Sequence, residues 1–325
     1  MRRREFITGL AGAALMAGTT RAASTPPVVG VLWHAGSAND EQPYFDALAR
    51  GFRELGYGEG QNIRFEHRFP NENPDRFRSM AAELVAAKVD VIVTVGNITA
   101  PYARSATSSI PIVFLFAADP VGAGFVQSLA RPGGNMTGLT QIATDLTAKR
   151  FELLREIVPS MSRVALLLNP AEPSAPGYLR EGEAAARQLG LTVLLFEFRA
   201  AGEVEMVFKR MKEAKVQALA FAPGGLLYQS RDRLHQAALA HGIPTCGWSR
   251  EIAVSGHLLS YGADQIEMAR HVAVPVDKIL RGTRPADIAV EQPTRFQLIV
   301  NQKIARALEL KVPETFLLRA DEVIE

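Results

Sequence analysis

Short apolar runs alternate with amphipathic helical patterns along the chain from Pro27 onward. The run 28–33 is rich in β-branched residues and the run 89–95 is continuously apolar, as expected for strands of a parallel sheet buried on both faces. Between them, apolar residues recur at helical spacing until Gly56 ends the pattern. The first half therefore predicts a strand at 28–33, a helix at 43–55, a helix from Pro74, a strand at 89–95, a helix at 101–107 and a strand at 111–116.

The second half of the chain starts the same alternation again. Strands are predicted at 163–168, 192–198 and 218–222, and helices at 146–158, 179–189, 204–214 and 231–240. Both halves also contain a strand, a glycine-containing loop, a helix, an Ile-Pro pair and another strand, at Ile110-Pro111 and Ile243-Pro244. The shared order marks two similar domains or a coincidence between two βαβ units. In either case the pattern predicts an α/β fold with parallel sheets and right-handed crossovers.

The order of elements changes after Ser260. A long helix is predicted at 265–280, followed by a proline-rich stretch at 283–293, a strand at 296–300 and a helix at 302–310. Late elements of this kind often return to the first domain, and several crossings make a hinge with a cleft beside it. We therefore predict one lobe from 27–143 with about 264–290, a second lobe from 144–263 with about 291–325, and a ligand cleft between them.

The N-terminus predicts an exported protein. Arg2, Arg3 and Arg4 precede a weakly apolar, glycine- and alanine-rich stretch, and small residues near Ala22 and Ala23 offer a cleavage site. The run at 3–7 resembles a twin-arginine export signal. We interpret 1–23 as a cleaved signal peptide of this type, with a plain Sec signal or an ordinary basic N-terminus as alternatives. The expected location is the periplasm.

Composition narrows the function classes. The chain has 325 residues, 47% hydrophobic and 22% charged, which suits a globular protein with a sizeable core. The formal net charge of +2 arises in the arginine-rich leader. The remainder of the chain has no excess of positive charge, so it does not have the charge of a typical nucleic-acid-binding protein. Cys246 is the one cysteine, which excludes an intrachain disulfide and a lipid-modified cysteine after the leader. We expect Cys246 to be a buried structural thiol, and we expect no stable membrane anchor.

Candidate ligand contacts follow the predicted strands, because ligands of open parallel sheets bind beyond the carboxyl ends of the strands. Hydroxyl, amide and backbone donors there suit a carboxylate, acidic side chains suit an ammonium, and aromatic side chains suit an apolar or aromatic body. Each residue also has a structural alternative, as a helix cap, a turn residue or core packing. The candidates are Trp33, Ser37, Asn97, Thr99, Asp119, Asn169, Ser174, Trp248, Tyr261 and Asp264.

A family resemblance covers nearly the whole chain after the leader. It rests on the segments VGVLW, DVIVTVGN, IPIVFLFAADPVGAGFVQSLARPGGNMTGLT, ALLLNP, GHLLSYGAD, KILRGTRPADIAVEQPTRFQLIVN and LLRADEVIE. With these the chain resembles the ABC transporter substrate-binding family that includes tryptophan- and tyrosine-uptake binding proteins. The resemblance implies the first type of periplasmic-binding-protein fold, with two Rossmann-like lobes joined by a three-crossing hinge. It also implies ligand contacts at Asn97, Thr99 and Asp119, and with less force at Asn169 and Ser174. The chain departs from the family pattern at 97–99 and at 222–225.

The implied function is an extracytoplasmic solute-binding protein without cofactor or metal. It would capture a small polar or aromatic, carboxylate-bearing, amino-acid-like ligand by lobe closure. It would act as a monomer and deliver the ligand to an ABC permease with a cytoplasmic ATPase. One alternative is a sensory binding protein that reports to a receptor. An exported α/β enzyme is less favoured, because the sequence lacks a phosphate loop, a dinucleotide-binding glycine motif, a nucleophile elbow and a metal-ligand histidine spacing.

Overall fold

The chain folds into two α/β lobes in a computed structural model that describes residues 25–325. The predicted signal peptide lies outside the described residues. The first lobe contains a parallel sheet with strand order β2-β1-β3-β4-β5. Its elements are β1 (Val28–Leu32), α1 (Tyr44–Glu54), β2 (Arg64–Arg68), α2 (Pro74–Ala86), β3 (Val91–Val95), α3 (Ala100–Ala106), β4 (Ile112–Ala117) and β5 (Met136–Thr140).

The second lobe is built on a seven-stranded sheet with order β12-β11-β10-β9-β8-β6-β7. Only the β10–β11 pair is antiparallel among these strands. The strands are β6 (Arg163–Leu168), β7 (Thr192–Glu197), β8 (Ala218–Phe221), β9 (Thr245–Gly247), β10 (Leu259–Ala263), β11 (Phe296–Asn301) and β12 (Glu322–Ile324). The helices are α4 (Thr147–Ile157), α5 (Ala175–Leu189), α6 (Val204–Glu213), α7 (Gly225–Gln229), α8 (Arg231–Ala240), α9 (Arg250–Val254), α12 (Gln302–Ala307) and α13 (Glu314–Leu317).

Local sequence accounts for many of these boundaries. Helix α2 begins where the Asn73 side chain accepts hydrogen bonds from the backbone N–H groups of Asp75 and Arg76, with Pro74 in the first turn. Helix α5 ends at Gly190, whose φ of 65° lies in the left-handed region that glycine adopts without strain. Strands β3 and β4 are buried along their whole length, in agreement with their continuous apolar sequence.

Two late helices, α10 (Gln265–His271) and α11 (Ala273–Leu280), return to the first lobe and pack against α1. The approach of α10 is close: a Cβ on Gly51 would lie 1.8 Å from the carbonyl oxygen of Arg270. The hydroxyl of Tyr57 donates to Asp277 at 2.8 Å. The chain therefore passes between the lobes three times, after β5, after β10 and before β11.

The structure differs from the predicted elements in several places. The predicted helix 265–280 breaks at Val272, because Pro275 has no N–H to donate to the carbonyl one turn earlier. The short strands β2, β5, β10 and β12 were not predicted, and Tyr261 lies within β10 rather than in a loop. Cys246 is buried, as predicted. No helix within residues 25–325 is long and apolar enough to cross a membrane.

Candidate functional site

The carboxyl ends of both sheets face one cavity between the lobes, which we call the cleft cavity. Its volume is about 40 Å³, room for roughly two or three water molecules. Loops from the two lobes surround it, including the loop after β3 and the loop after β8. The residues that line it are His34, Tyr44, Gly96, Asn97, Phe116, Gln141, Pro223, Gly224, Gly225, Tyr228, Trp248 and Gln265.

Aromatic side chains from both lobes form the walls of the cleft cavity. The ring of Tyr44 lies 5.3 Å from that of Phe116 and 5.7 Å from that of Tyr228, between centroids. Tyr228 also meets His34 edge to face, with centroids 6.2 Å apart. Trp248, only 4% exposed, completes the lining. Aromatic pairs at such distances favour offset or edge-to-face contacts, so the walls suit a planar aromatic group.

Hydrogen bonds join the lobes on two sides of the cleft cavity. The Asn97 side-chain amide donates to Ser174 Oγ at 3.1 Å and to Glu172 Oε2 at 3.4 Å, across the lobe boundary. The Tyr44 hydroxyl lies 2.9 Å from Glu251 Oε2, in the second lobe, and 2.9 Å from Gln265 Oε1, at the hinge. These contacts exist only while the lobes are together.

Three carboxyl groups surround a single imidazole beside the cleft cavity; we call Glu41, Glu72, Glu172 and His34 the carboxyl cluster. His34 Nδ1 lies 3.0 Å from Glu72 Oε1, and His34 Nε2 lies 3.5 Å from Glu41 Oε2. Glu41 is fully buried, and its other oxygen accepts from the backbone N–H groups of His34 and Ala35. The Glu172 side chain accepts from the Gly225 N–H at 3.3 Å.

Burial and charge shift the ionisation of this cluster strongly. Burial alone would lower the pKa of His34, but the carboxylates of Glu41 and Glu72 raise it to about 9. Burial, with Glu72 nearby, raises the pKa of Glu172 to about 8. Burial also raises the pKa of Glu41 against the opposing effect of His34. At neutral pH the imidazole is therefore a cation and Glu172 is largely protonated.

Glycines let the loop after β8 approach this cluster. A Cβ on Gly225 would lie 2.0 Å from Glu72 Oε1 and 2.7 Å from His34 Nδ1. A Cβ on Gly224 would lie 2.8 Å from Glu172 Oε1. A side chain at Gly225 would force apart atoms of the two lobes, and one at Gly224 would displace Glu172 within the second lobe, so the sequence Gly224-Gly225 permits the observed contact.

The structure brings a few of the predicted site residues to the cleft. Asn97 and Trp248 line the cleft cavity, and Ser174 receives the hydrogen bond from Asn97. Thr99 lies directly behind, but its hydroxyl donates to the carbonyls of Val95 and Gly96.

The other predicted residues do not line the cleft cavity. Trp33 packs in the core of the first lobe, stacked on Phe69, with its indole N–H donating to His67. Tyr261 stacks on Phe296, and the remaining four side chains stabilise turns or helix starts. Those four are Ser37, which donates to Asp40; Asp119, which accepts from the Gly122 N–H; Asn169, which accepts from the Ala171 N–H; and Asp264, which accepts from the Glu267 N–H.

Several cleft residues were not predicted. Tyr44 and Tyr228 lie on helices, where an apolar-face pattern assigns aromatic residues to the core. Phe116 is the penultimate residue of the buried strand β4, and its backbone φ of 66° is unusual for a residue other than glycine. The sequence offered a signal for the residues that follow strands: His34 after β1, the loop 223–225 after β8, and Glu172 in the loop that begins at Asn169 after β6.

A second hollow of about 390 Å³ lies at the hinge, between α10 and the segment 291–295. It is larger than the cleft cavity, but its wall residues are not at the carboxyl ends of the parallel strands of both sheets. Its charged groups are largely paired: His271 with Glu291 at 2.8 Å, and Glu267 with Arg270. We therefore place the candidate site in the cleft.

Two α/β lobes with a polar and aromatic cleft at their strand ends define a two-lobed ligand-binding protein. The family profile described as ABC transporter substrate binding protein matches residues 38–324. The chain therefore belongs to this family, which comprises substrate-binding proteins and not enzymes. The prediction of a binding protein rather than an enzyme is confirmed, as is the two-lobed α/β fold.

Three known proteins show how far the similarity extends. A tyrosine-binding protein from Clostridioides difficile (strain R20291) is 24% identical over 275 residues, covering 83% of this chain and 79% of its own. A protein from Streptococcus pneumonia, solved in complex with L-Trp, has a TM-score of 0.85 and 23% identity, over 92% of this chain and 100% of its own. A ligand-free, open substrate-binding protein from Clostridium difficile has a TM-score of 0.66 and 21% identity, over 92% of this chain and 99% of its own.

Proposed function

We propose that this protein captures one amino-acid-like ligand with an aromatic side chain in the cleft cavity, and that the lobes close over it. The observation that carries the proposal is the gathering of Tyr44, Phe116, Tyr228 and Trp248, from both lobes, beside polar groups at the strand ends. A ring held between residues of different lobes binds the closed state more tightly than the open one. The ligand thereby shifts the population toward closure.

Polar side chains in the same cavity fit the other end of such a ligand. Gln141 and Gln265 line the cleft cavity. One N–H of the Gln141 amide donates to the Phe116 carbonyl and one N–H of the Gln265 amide donates to Gln141 Oε1, so the second N–H of each can donate to a ligand carboxylate. Buried donors of this kind reject analogues that leave them unpaired. The names of two similar proteins, a tyrosine-binding protein and an L-Trp complex, support an aromatic amino acid as the ligand class.

The arrangement of the lobes supports closure. The TM-score is higher against the L-Trp complex than against the ligand-free, open protein, although the two identities are nearly equal. The cleft cavity, about 40 Å³, is too small for an aromatic amino acid while the lobes sit as they do here, so binding also requires its walls to move apart around the ligand. Access therefore requires the lobes to separate about the three hinge crossings.

The family supports the wider role. We infer that the protein is exported by its leader, works as a monomer outside the cytoplasm, and delivers its ligand to a membrane permease powered by an ATPase.

The proposal is tested by thermal unfolding of residues 25–325 with L-tyrosine, L-tryptophan and, for contrast, D-ribose. A ligand that binds only the folded protein stabilises it by about 2.7 kcal/mol at a hundredfold excess over its dissociation constant. We expect one of the two aromatic amino acids to raise the melting temperature, and D-ribose to leave it unchanged. Stabilisation by D-ribose alone, or by none of the three, contradicts the proposal.

A variant pair assigns the binding to the cleft. Tyr228→Ala removes a wall of the cleft cavity and should abolish the ligand-induced shift. Tyr102→Ala removes a ring of the same size that stacks on Phe77 in the first lobe, away from the cleft cavity. The control should be less stable than the wild type but retain the ligand-induced shift.

A further inference from the structure

The carboxyl cluster contains more acidic groups than cations. Among residues 25–325, no lysine or arginine forms an ion pair with Glu41, Glu72 or Glu172, and His34 is their one basic partner. All four side chains are at most 10% exposed. Buried carboxylates require a cation or a proton, because isolated charges are costly to remove from water. One imidazolium cannot neutralise three carboxylates, so protons or a further cation complete the cluster.

Glu172 is the member of the cluster best placed to exchange its proton for a ligand cation. It belongs to the second lobe, whereas His34, Glu41 and Glu72 belong to the first. Its two hydrogen bonds are long, 3.3 Å from the Gly225 N–H and 3.4 Å from the Asn97 amide. Asn97, Gly225 and His34 all line the cleft cavity. A group in that cavity therefore reaches Glu172 with little loss of existing bonding.

A second observation also indicates a missing partner. Glu41 Oε2 is fully buried and has no hydrogen-bond partner, and it faces the imidazole at a distance beyond a normal hydrogen bond. His34 therefore lies between an under-satisfied carboxyl on one side and Glu72 on the other. A second cation near Glu72 and Glu172 would let the imidazolium shift toward Glu41.

Resting on the function proposed above, we propose that the ligand's ammonium group binds at Glu172 and Glu72 in place of a proton, so that capture releases one proton to solvent. The Glu172 carboxyl loses its proton to water, and the ammonium keeps its three N–H donors for the carboxylates of the two lobes. No covalent bond changes. The cleft thereby selects amines over ligands that carry only a carboxylate.

An organic ammonium fits these residues better than a metal ion. Within the described range 25–325, no group of three or more histidine, cysteine, aspartate or glutamate side chains is arranged to hold a metal. An ammonium donates hydrogen bonds to carboxylates at ordinary distances and needs no such geometry. Aromatic walls beside the cluster also favour an organic cation.

The proton exchange fixes the sign of the pH dependence. Burial raises the pKa of Glu172 to about 8 without ligand, and an adjacent ammonium lowers it. Between about pH 5.5 and 7.5 the free protein therefore carries a proton that the complex lacks. Affinity should rise with pH, by up to about tenfold per unit for one proton released.

Other titratable groups face the same region. Glu72, Glu41 and His34 approach from the first lobe. On the other side, Tyr178 of α5 lies near Glu172, and the charged groups of Arg150, Asp119 and Asp145 lie near Tyr178. The carboxylates of Glu41 and Glu72 raise the pKa of His34 to about 9 against its burial, so it stays protonated throughout the range. Tyr178 stays neutral, because burial raises its pKa further above its ordinary value.

The test is calorimetric titration of the whole protein with L-tyrosine and L-tryptophan at pH 6.5, in phosphate and in a buffer of larger ionisation enthalpy. The difference in heat between buffers gives the number of protons released. We expect a value near one for whichever amino acid binds. 3-(4-hydroxyphenyl)propanoate, which has the ring and carboxylate of tyrosine but no ammonium, should bind at least tenfold more weakly and release no proton.

A variant pair assigns the proton. Glu172→Gln keeps the size of the side chain and one acceptor oxygen but cannot become an anion. It should bind the amino acid more weakly, without proton release and with affinity independent of pH. Glu183→Gln, an exposed glutamate on the same helix as Tyr178, should behave as the wild type. Amino-acid binding without proton release refutes this inference and leaves the proposed function intact. Absence of amino-acid binding overturns both, and proton release that persists in Glu172→Gln overturns the assignment to Glu172.

Discussion

Replacing Gly225 by alanine should weaken ligand binding without unfolding either lobe. The added Cβ would lie 2.0 Å from Glu72 Oε1, whereas ordinary contacts begin at 3.4 Å. Glu72 Oε1 now lies 3.0 Å from His34 Nδ1. To relieve the clash, either Glu72 moves away from His34 or the loop after β8 moves away from the first lobe. Because Gly225 and Glu72 belong to different lobes, the cost falls on the closed state.

The magnitude follows from the contact that is lost. A hydrogen bond to a charged group contributes about 1.5–3 kcal/mol, which corresponds to a dissociation constant roughly 10- to 150-fold larger. The second lobe itself should not be destabilised, because Gly225 is the first residue of α7 and alanine favours a helix by about 1 kcal/mol over glycine.

Calorimetric titration with L-tyrosine and L-tryptophan, together with urea unfolding, separates the two effects. Gly202→Ala is the matched control, because its Cβ would have no atom within 4 Å. The control should bind as the wild type does. If Gly225→Ala also binds within twofold of the wild type, the loop after β8 does not meet Glu72 in the bound state, and the reasoning fails.

Three further predictions concern the hinge side of the cleft, the core of the first lobe and the pH dependence of stability. Tyr44→Phe removes the hydroxyl that joins Glu251 and Gln265, and it should raise the ligand dissociation constant by about 2- to 10-fold, for roughly 0.5–1.5 kcal/mol in the closed state; an unchanged constant in a titration would contradict the bridging role. Trp33→Phe should lower the free energy of unfolding by about 1–3 kcal/mol and leave affinity unchanged, since Trp33 packs in the core; a loss of affinity without a loss of stability in urea unfolding would place it in the site after all. The ligand-free protein should lose stability between pH 6.5 and 8. The carboxylates of Glu41 and Glu72 raise the pKa of His34 to about 9, and burial raises the pKa of Glu172 to about 8, so in this range the native state holds protons that the unfolded chain has released. Below pH 6.5 the effects oppose each other, because burial lowers the pKa of His67 to about 4 and of His257 to about 3 while the raised pKa values of Glu172 and Glu41 act the other way. Urea unfolding at pH 6.5 and 8 tests this, and stability that rises from 6.5 to 8 is the contrary result.

The sequence predicted the strands that are apolar throughout and missed those that are not. Strands β3, β4 and β6 form continuous apolar runs, and a parallel sheet buried on both faces leaves few other interpretations. β2 is a polar edge strand and β5 contains Gly138, whose φ of 155° and close approach to Phe114 follow from sheet packing. Neither carries an apolar pattern.

The site was predictable only where it follows a strand. Asn97 and Trp248 come directly after buried strands, and the strand-end rule finds them. Tyr44 and Tyr228 are on helices, and they become cleft residues only because the lobes meet there. His34 and Glu172 are 138 positions apart in the sequence, and no local pattern shows that lobe closure brings these two side chains close together.

The central claim is that an aromatic amino acid binds between the lobes with its ammonium on Glu172. The most direct measurement is a crystal structure of the protein grown with L-tyrosine or L-tryptophan. The account predicts density for the ring among Tyr44, Tyr228 and Trp248, with the ammonium nitrogen within hydrogen-bond distance of the Glu172 carboxylate. A ligand bound at the hinge hollow, or one bound in the cleft with its carboxylate against Glu172, would contradict it.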